Sequence, residues 1–149
     1  AMPTNLYGPN DNYDPVNSHV IPAMLRKFIL ANRNNLQSVE MWGSGSPLRE
    51  FMHVDDVADA CLFLMNTYDN LEFINISSQE ELSIKKIAEL IKDITGFSGS
   101  INWDTSKPDG TPRKIMDNSK LTAMGWHPKI KLNEGLKMVF EEIKNNRFI

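Results

Sequence analysis

The sequence has a single cysteine, Cys61, and no long run of apolar residues. One cysteine excludes an internal disulfide framework and fits a reducing compartment, so we expect a cytoplasmic protein. No apolar run approaches the length of a transmembrane helix, and no signal peptide opens the chain. The sequence therefore predicts neither a membrane-bound nor a secreted protein.

An excess of basic residues is also missing, because 16 lysines and arginines stand against 19 aspartates and glutamates, for a net charge of −3. This balance argues against nucleic acid and against an acidic membrane surface as partners. The remaining composition is ordinary for a globular protein: 149 residues, of which 41% are hydrophobic and 23% are charged. We therefore expect one domain with a real hydrophobic core.

Helical and extended patterns alternate along the chain, which predicts a small α/β domain with short strands and packed helices. The expected N-caps are Asn17 or Ser18 for the first helix, Asp55 or Asp56 for the second and Ser83 for the third, which Gly96 ends. The predicted order is a loop over 3–16, a helix over 18–32, strands over 39–42 and 49–53, a helix over 55–65, a strand over 73–76, a helix over 83–96, a strand over 100–103, a loop over 107–114 and helices over 121–124 and 133–144.

Two patterns that suggest ligands are better explained as structure. Gly43 and Gly45 have no third glycine and open no helix, so they fail both the dinucleotide fingerprint and the P-loop pattern. A tight turn between two strands is the favoured interpretation. His53, Asp55 and Asp56 superficially resemble metal ligands, but aspartates before a helix are usually caps and no further ligand is suitably spaced. We therefore predict no metal site.

Three other features are candidates for chemistry. His19 stands at the start of a helix, whose dipole favours a neutral imidazole able to transfer protons; an exposed or capping histidine is the alternative. Arg49 can bind a diphosphate through two parallel hydrogen bonds, and Trp42 can offer a flat face to a sugar or base. The alternative is that Arg49 forms an ordinary surface ion pair and that Trp42 is simply half-buried. The basic loop Lys107–Lys114 suits a phosphate, although a solvated loop fits equally well.

Taken together, these residues resemble the GDP-L-fucose synthase family, a branch of the extended short-chain dehydrogenase/reductases. The resemblance covers essentially the whole chain. The matching segments are, in order, Pro3–Pro9, Asn17–Ala23, Trp42–Asp56, Lys107–Lys114 and Leu121–Trp126. The first and third segments are shared by many sugar-nucleotide epimerases and dehydratases, whereas the second and fourth are more specific to this branch.

The resemblance implies an enzyme that epimerises GDP-4-keto-6-deoxy-D-mannose at two carbons and then reduces its ketone with NADPH, giving GDP-L-fucose. Inverting a carbon next to a ketone requires one group to remove a proton and another to return one on the opposite face. In the family a histidine and a cysteine do this, and the histidine matches His19. The cysteine belongs to the other half of the enzyme, and Cys61 is not its counterpart because its helix position is typical of a core residue.

The same resemblance assigns the remaining site residues. Cofactor-binding positions would be Pro3, Thr4, Asn5 and Leu6, near the nicotinamide of NADP(H), together with His19. Substrate-binding positions would be Lys27, Trp42, Arg49, Asp109 and Lys114. The full-length family enzyme is expected to be a homodimer.

The family's glycine-rich fingerprint, active-site serine and Tyr-x-x-x-Lys pair are not in this chain, since none of Tyr7, Tyr13 and Tyr68 has a lysine four residues later. Hydride transfer needs that pair and a bound nicotinamide. We therefore expect residues 1–149 to be the C-terminal, substrate-binding region of such an enzyme, without its NADP-binding Rossmann portion and inactive alone. The alternatives are another nucleotide-sugar epimerase or dehydratase, or a non-catalytic sugar-nucleotide-binding regulatory module.

Overall fold

The computed structural model describes residues 1–146, which form short strands and helices in alternation and confirm the α/β class. Three helices pack side by side, with the helix Ile84–Thr95 between the helices Val20–Arg33 and Leu132–Asn146. The elements are β1 (Met2–Pro3), β2 (Asn5–Tyr7), α1 (Val20–Arg33), β3 (Ser38–Trp42), β4 (Leu48–His53), α2 (Val54–Thr67), β5 (Asn75–Ile76), β6 (Glu81–Ser83), α3 (Ile84–Thr95), β7 (Ser100–Asp104), β8 (Arg113–Lys114), α4 (Ser119–Ala123) and α5 (Leu132–Asn146).

The strands form three small sheets. In one sheet β4 is central: it pairs in parallel with β2 and β8 and antiparallel with β6. The other two sheets are parallel pairs, β1 with β5 and β3 with β7. The β3–β7 register places Trp42 opposite Asp104, so the carboxyl ends of both strands meet at one edge.

The prediction of one loop over residues 3–16 is wrong, because this segment contains β1 and β2. Each has only two or three residues, and their partners lie far along the chain, as Met2 opposite Asn75 shows. A strand of that length has no periodicity to read. Strands β6 and β8 were missed for the same reason, and β5 covers only the last half of the predicted strand over 73–76.

Two of the three predicted N-caps are wrong. His19, rather than Asn17 or Ser18, is the N-cap of α1, and it makes no side-chain capping bond. The N-cap of α2 is His53, whose Nδ1 accepts a hydrogen bond from the Asp55 N–H at 3.3 Å. Strand β4 runs directly into α2, so the cap falls on the last residue of the strand and the two aspartates lie in the first turn.

The caps of α3 are confirmed. The Ser83 hydroxyl accepts from the Lys86 N–H at 3.1 Å, and Gly96 ends the helix in the left-handed region with φ of 68°. These signals are local, which is why sequence alone was sufficient.

Buried apolar side chains form two clusters. The larger cluster lies among α1, α3, α5 and β3, and includes Leu25, Phe28, Ile91 and Leu136. The smaller cluster lies among α2, β5 and α4, and includes Ile76, Leu121 and Trp126. No helix in residues 1–146 is both long enough and apolar enough to cross a membrane.

Glu50 joins β4 to two neighbouring loops, and its side chain is fully buried. Its carboxylate accepts hydrogen bonds from the Gln79 N–H at 2.7 Å, and from the Ser78 hydroxyl and the Met116 N–H, both at 3.3 Å. Its backbone carbonyl accepts from the Asn5 side-chain amide at 2.9 Å. Three donors offset the cost of burying this carboxylate, so Glu50 fixes two loops beside β4.

Candidate functional site

A cleft of about 450 Å³ opens where the carboxyl ends of β3 and β7 meet the first turns of α1 and α3. It brings together five of the predicted site residues from separate parts of the chain. These are His19, Lys27, Trp42, Arg49 and Asp109. Its apolar lining includes Met24, Met41 and Trp103. A mostly apolar cleft with a few polar groups on it is typical of a small-molecule site.

His19 lies on this cleft at the N-terminus of α1. Its backbone carbonyl accepts the first helical hydrogen bond, from the Ala23 N–H at 2.9 Å. The side chain is exposed, and among the described residues its imidazole has no hydrogen-bond partner. Both ring nitrogens are therefore available to a ligand, as proton transfer requires.

Two cationic side chains reach the same cleft. Lys27 is exposed on α1 and donates one hydrogen bond, to the Glu40 carbonyl at 2.8 Å. Arg49 is partly buried at the start of β4, and its Nη1 donates to the Leu48 carbonyl at 2.8 Å and to the Thr111 carbonyl at 2.6 Å. These bonds fix the guanidinium while leaving other donors, so the pair can hold an anionic group.

Trp42 forms one rim of the cleft at the end of β3. Its side chain is 66% exposed, and the Lys107 Nζ lies 5.8 Å from the ring centroid, within range of a cation–π contact. An indole that exposed offers a planar face to a base or sugar.

Residues 107–111, which we call the strap, lie beside Trp42 and contribute Pro108, Asp109 and Gly110 to the cleft lining. Asp109 in the strap accepts two hydrogen bonds from Ser44, from its N–H at 2.9 Å and its hydroxyl at 2.7 Å. These two bonds lower the pKa of the Asp109 carboxyl, because they favour its charged form. The strap is also held at Thr111 by Arg49, so its middle and its C-terminal end are both hydrogen-bonded to the β3–β4 segment.

The other predicted site residues lie away from this cleft. Lys114 is exposed on β8, opposite Arg49 in the register with β4 but outside the cleft lining. Pro3, Thr4, Asn5 and Leu6 belong to β1, β2 and the residue between them. No observation tests their assigned roles, which stay predictions.

Residues 1–146 do not form a dinucleotide site by themselves. The hydroxyl of Thr4 and the side-chain amide of Asn5 both donate to the Glu50 carbonyl, at 3.4 and 2.9 Å. The Gly43–Gly45 turn receives the Asp109 carboxylate, which would repel a phosphate. At most, the described residues supply one edge of such a site.

His53 is fully buried against Tyr7, with ring centroids 5.5 Å apart and planes at 88°. Its Nδ1 accepts a hydrogen bond, which places the ring proton on Nε2, and Nε2 has no partner among the described residues. Burial and nearby carboxylates raise the pKa of the Tyr7 hydroxyl. Within residues 1–146, no three His, Cys, Asp or Glu side chains converge as metal ligands.

Sequence reasoning missed two residues that hold loops in place through hydrogen bonds: Ser44, which holds the strap, and Glu50, which holds two loops beside β4. Ser44 carried no signal, because a serine in a turn is unremarkable until its distant partner is known. Glu50 did carry one, since a carboxylate beside Phe51 and Met52 in an apolar strand must be paired or hydrogen-bonded.

Comparison with known proteins gives matches at both the family and the structural level. The sequence model that describes the NAD dependent epimerase/dehydratase family matches residues 1–77 of this chain. A putative GDP-L-fucose synthase 2 of Arabidopsis thaliana is 59% identical over 141 residues, which are 95% of this chain and 43% of that protein.

Two solved structures match across nearly the whole chain. One is a GDP-L-fucose synthetase of Naegleria fowleri bound to NADP, with a TM-score of 0.92, 32% identity and coverage of 99% of this chain and 46% of that one. The other is a GDP-D-glycero-L-gluco-heptose synthase of Campylobacter jejuni, with a TM-score of 0.84, 34% identity and coverage of 96% and 51%. This chain thus spans about half or less of the proteins it matches. On the family match, it belongs to the NAD dependent epimerase/dehydratase family.

Proposed function

We propose that residues 1–149 are the nucleotide-sugar-binding portion of a GDP-L-fucose synthase. The full-length enzyme would epimerise GDP-4-keto-6-deoxy-D-mannose and reduce it with NADPH. One observation carries the proposal: a single cleft collects His19, Lys27, Trp42, Arg49 and Asp109. The likeness to proteins named GDP-L-fucose synthase supports it.

Each cleft residue has a role that its chemistry suits. Lys27 and Arg49 hold the diphosphate, Arg49 through its fork of donors and Lys27 as a point charge. Trp42 stacks on a flat or apolar face of the nucleotide sugar. Asp109 accepts hydrogen bonds from ligand hydroxyls. Lys114, opposite Arg49 in the β4–β8 register, adds a positive charge near the nucleotide.

His19 is the acid–base residue of the epimerisation. The ketone acidifies the protons on its neighbouring carbons, and an imidazole can remove such a proton or return one. Inversion needs a second proton-transfer group on the opposite face of the sugar, and that group would come from outside this chain.

NADP(H) would be bound mainly by a portion outside residues 1–149, since the described residues offer only an edge. When bound, NADPH supplies the hydride for reduction of the ketone. Pro3, Thr4, Asn5 and Leu6, with His19, would lie along its nicotinamide end. The apolar side chains exposed on α2 and before β5, such as Met65 and Phe73, would contact that portion.

Turnover measurements test whether the reaction requires the full-length polypeptide. With GDP-4-keto-6-deoxymannose and NADPH, the full-length polypeptide should form GDP-L-fucose and the 149-residue chain should not. The chain should nevertheless bind GDP in a calorimetric titration. Turnover by the chain alone, or absence of GDP binding, would contradict the proposal.

A second experiment addresses His19. In the full-length polypeptide, His19→Gln should stop solvent deuterium from entering the sugar while leaving GDP affinity within about twofold, because Gln keeps similar size without a basic nitrogen. His127→Gln is the matched control, since His127 lies outside the cleft. Deuterium uptake equal to that of the unaltered protein would remove His19 from the mechanism.

The likeness to a GDP-heptose synthase favours a second candidate, an enzyme that acts on a different GDP-linked keto sugar. NMR analysis of products formed from several GDP-linked 4-keto sugars distinguishes the two. A full-length polypeptide that binds these sugars and converts none would instead be a regulatory module.

We also propose that the full-length protein works in the cytoplasm as a homodimer.

A further inference from the structure

The proposed function leaves the turn Gly43–Ser46 without a role. It fails the dinucleotide fingerprint and the P-loop pattern, yet it lies between Trp42 and Arg49, two of the proposed ligand contacts. Gly43 and Gly45 both adopt positive φ, at 77° and 74°. A turn that needs two left-handed residues is closely specified, so its shape requires an explanation.

The turn is shaped to receive one carboxylate from the strap. Ser44 donates twice to Asp109, from its N–H to Oδ1 at 2.9 Å and from its hydroxyl to Oδ2 at 2.7 Å. The Ser44 oxygen in turn accepts from the Ser46 N–H at 3.1 Å and lies 2.7 Å from the Ser46 hydroxyl. Since Ser44 gives its own proton to Asp109, the Ser46 hydroxyl is the donor between them, which orients Ser44.

Gly43 makes room for this contact. A Cβ at that position would collide with Oδ1 of Asp109, so any side chain there would displace the Asp109 carboxylate. A Cβ at Gly45 would similarly meet the ring of Trp103, which lines the cleft. Both glycines are therefore explained by what packs against the turn.

We propose that Ser44 is a positioning residue for nucleotide-sugar binding, acting through Asp109 to hold the strap as one wall of the cleft. This inference rests on the proposed function, because it assigns the wall to a nucleotide sugar. It differs from a direct contact, since Ser44 itself touches the strap rather than the ligand.

The hydrogen-bonding capacity of Asp109 supports this role. A carboxylate has about four lone-pair positions, and Ser44 occupies one on each oxygen. Each oxygen keeps about one position, and Asp109 lines the cleft. Ser44 thus orients a paired acceptor that suits two neighbouring hydroxyl groups of a ligand.

The rest of the strap depends on the same placement. Lys107 approaches the ring of Trp42, and Thr111 accepts the hydrogen bond from Arg49. Both neighbours are proposed ligand contacts. A strap released at Asp109 would also alter the surroundings of Trp42 and Arg49.

The test compares single variants of the 149-residue chain by calorimetric titration with GDP. Ser44→Ala removes the hydroxyl and leaves the N–H, so we expect the Kd for GDP to rise about three- to tenfold. Ser44→Thr keeps the hydroxyl and should stay within about twofold of the unaltered chain. Ser98→Ala is the control, because Ser98 is an exposed serine before β7, away from the cleft. Circular dichroism verifies that each variant is folded.

Kinetics of the full-length polypeptide supply a readout that a general loss of structure would not reproduce. Ser44→Ala should raise KM for the nucleotide sugar by the same factor and leave kcat and the KM for NADPH unchanged.

An unchanged Kd in Ser44→Ala, or equal losses in Ser44→Ala and Ser98→Ala, would overturn the role of Ser44 and leave the proposed function intact. Failure of the unaltered chain to bind GDP would overturn both.

Discussion

The two apolar clusters differ in what surrounds them. The larger cluster is enclosed by α1, α3 and α5, and the cleft is built on its edge. The smaller cluster is bordered by exposed apolar side chains. These exposed side chains are Met2, Leu62, Met65, Leu71 and Phe73. The side of the chain that carries the cleft is therefore supported by its own helices, whereas the other side exposes apolar surface that residues 1–146 do not cover.

Truncation of a core side chain should produce the largest effect. Phe28→Ala empties a fully buried position that packs against Phe97 at 5.6 Å between centroids, and should cost about 3–5 kcal/mol of unfolding free energy. Leu121→Ala, in the smaller cluster, should cost about 2–3 kcal/mol, because partly exposed neighbours can relax into the space. Urea unfolding followed by circular dichroism measures both. A larger loss from Leu121→Ala would reverse the comparison.

Loss of the buried Glu50 carboxylate should have the next largest effect. Glu50→Ala leaves the Gln79 and Met116 N–H groups without their acceptor and should cost about 2–3 kcal/mol. Glu50→Gln keeps the shape and one acceptor, so its loss should be smaller. The same urea unfolding applies, and a loss below about 0.5 kcal/mol for Glu50→Ala would show that the carboxylate does not stabilise the fold.

Two adjacent residues on α2 allow the buried and the exposed side of the smaller cluster to be compared. Met65 is 81% exposed and Leu64 only 8%. Met65→Ser should change the unfolding free energy of the 149-residue chain by no more than about 0.5 kcal/mol, whereas Leu64→Ser should cost at least about 2 kcal/mol. A large loss from Met65→Ser would mean that this face is buried in the isolated chain, for example by self-association.

The smallest effect concerns pH at the strap. Because Ser44 lowers the pKa of Asp109 in the folded chain, their interaction is complete above about pH 4, the ordinary value for aspartate, and is lost as pH falls through the lowered pKa. The proton NMR shift of the Ser44 amide should follow that titration. In Asp109→Asn the shift should not titrate, and a titration that persists would assign it to another group.

Local signals and distant partners account for what could and could not be predicted. The helix caps Ser83 and Gly96 act on neighbouring backbone, so their residue types were sufficient. Strands β1 and β2 depend on β5 and β4, which lie more than 40 residues away, and two or three residues contain no pattern of their own. The capping role of His53 was hidden because it belongs to a strand and a helix at once.

For the site, the chemistry of the side chains follows from the sequence alone: an imidazole at 19, cations at 27 and 49 and an indole at 42. So does the helix α1, which has His19 as its N-cap and carries Lys27, because helical periodicity is a property of neighbouring residues. The shared cleft and the contact between the turn Gly43–Ser46 and Asp109 are visible only in the folded chain. Those contacts join residues up to 65 positions apart, and packing of the whole chain, rather than any local preference, sets them.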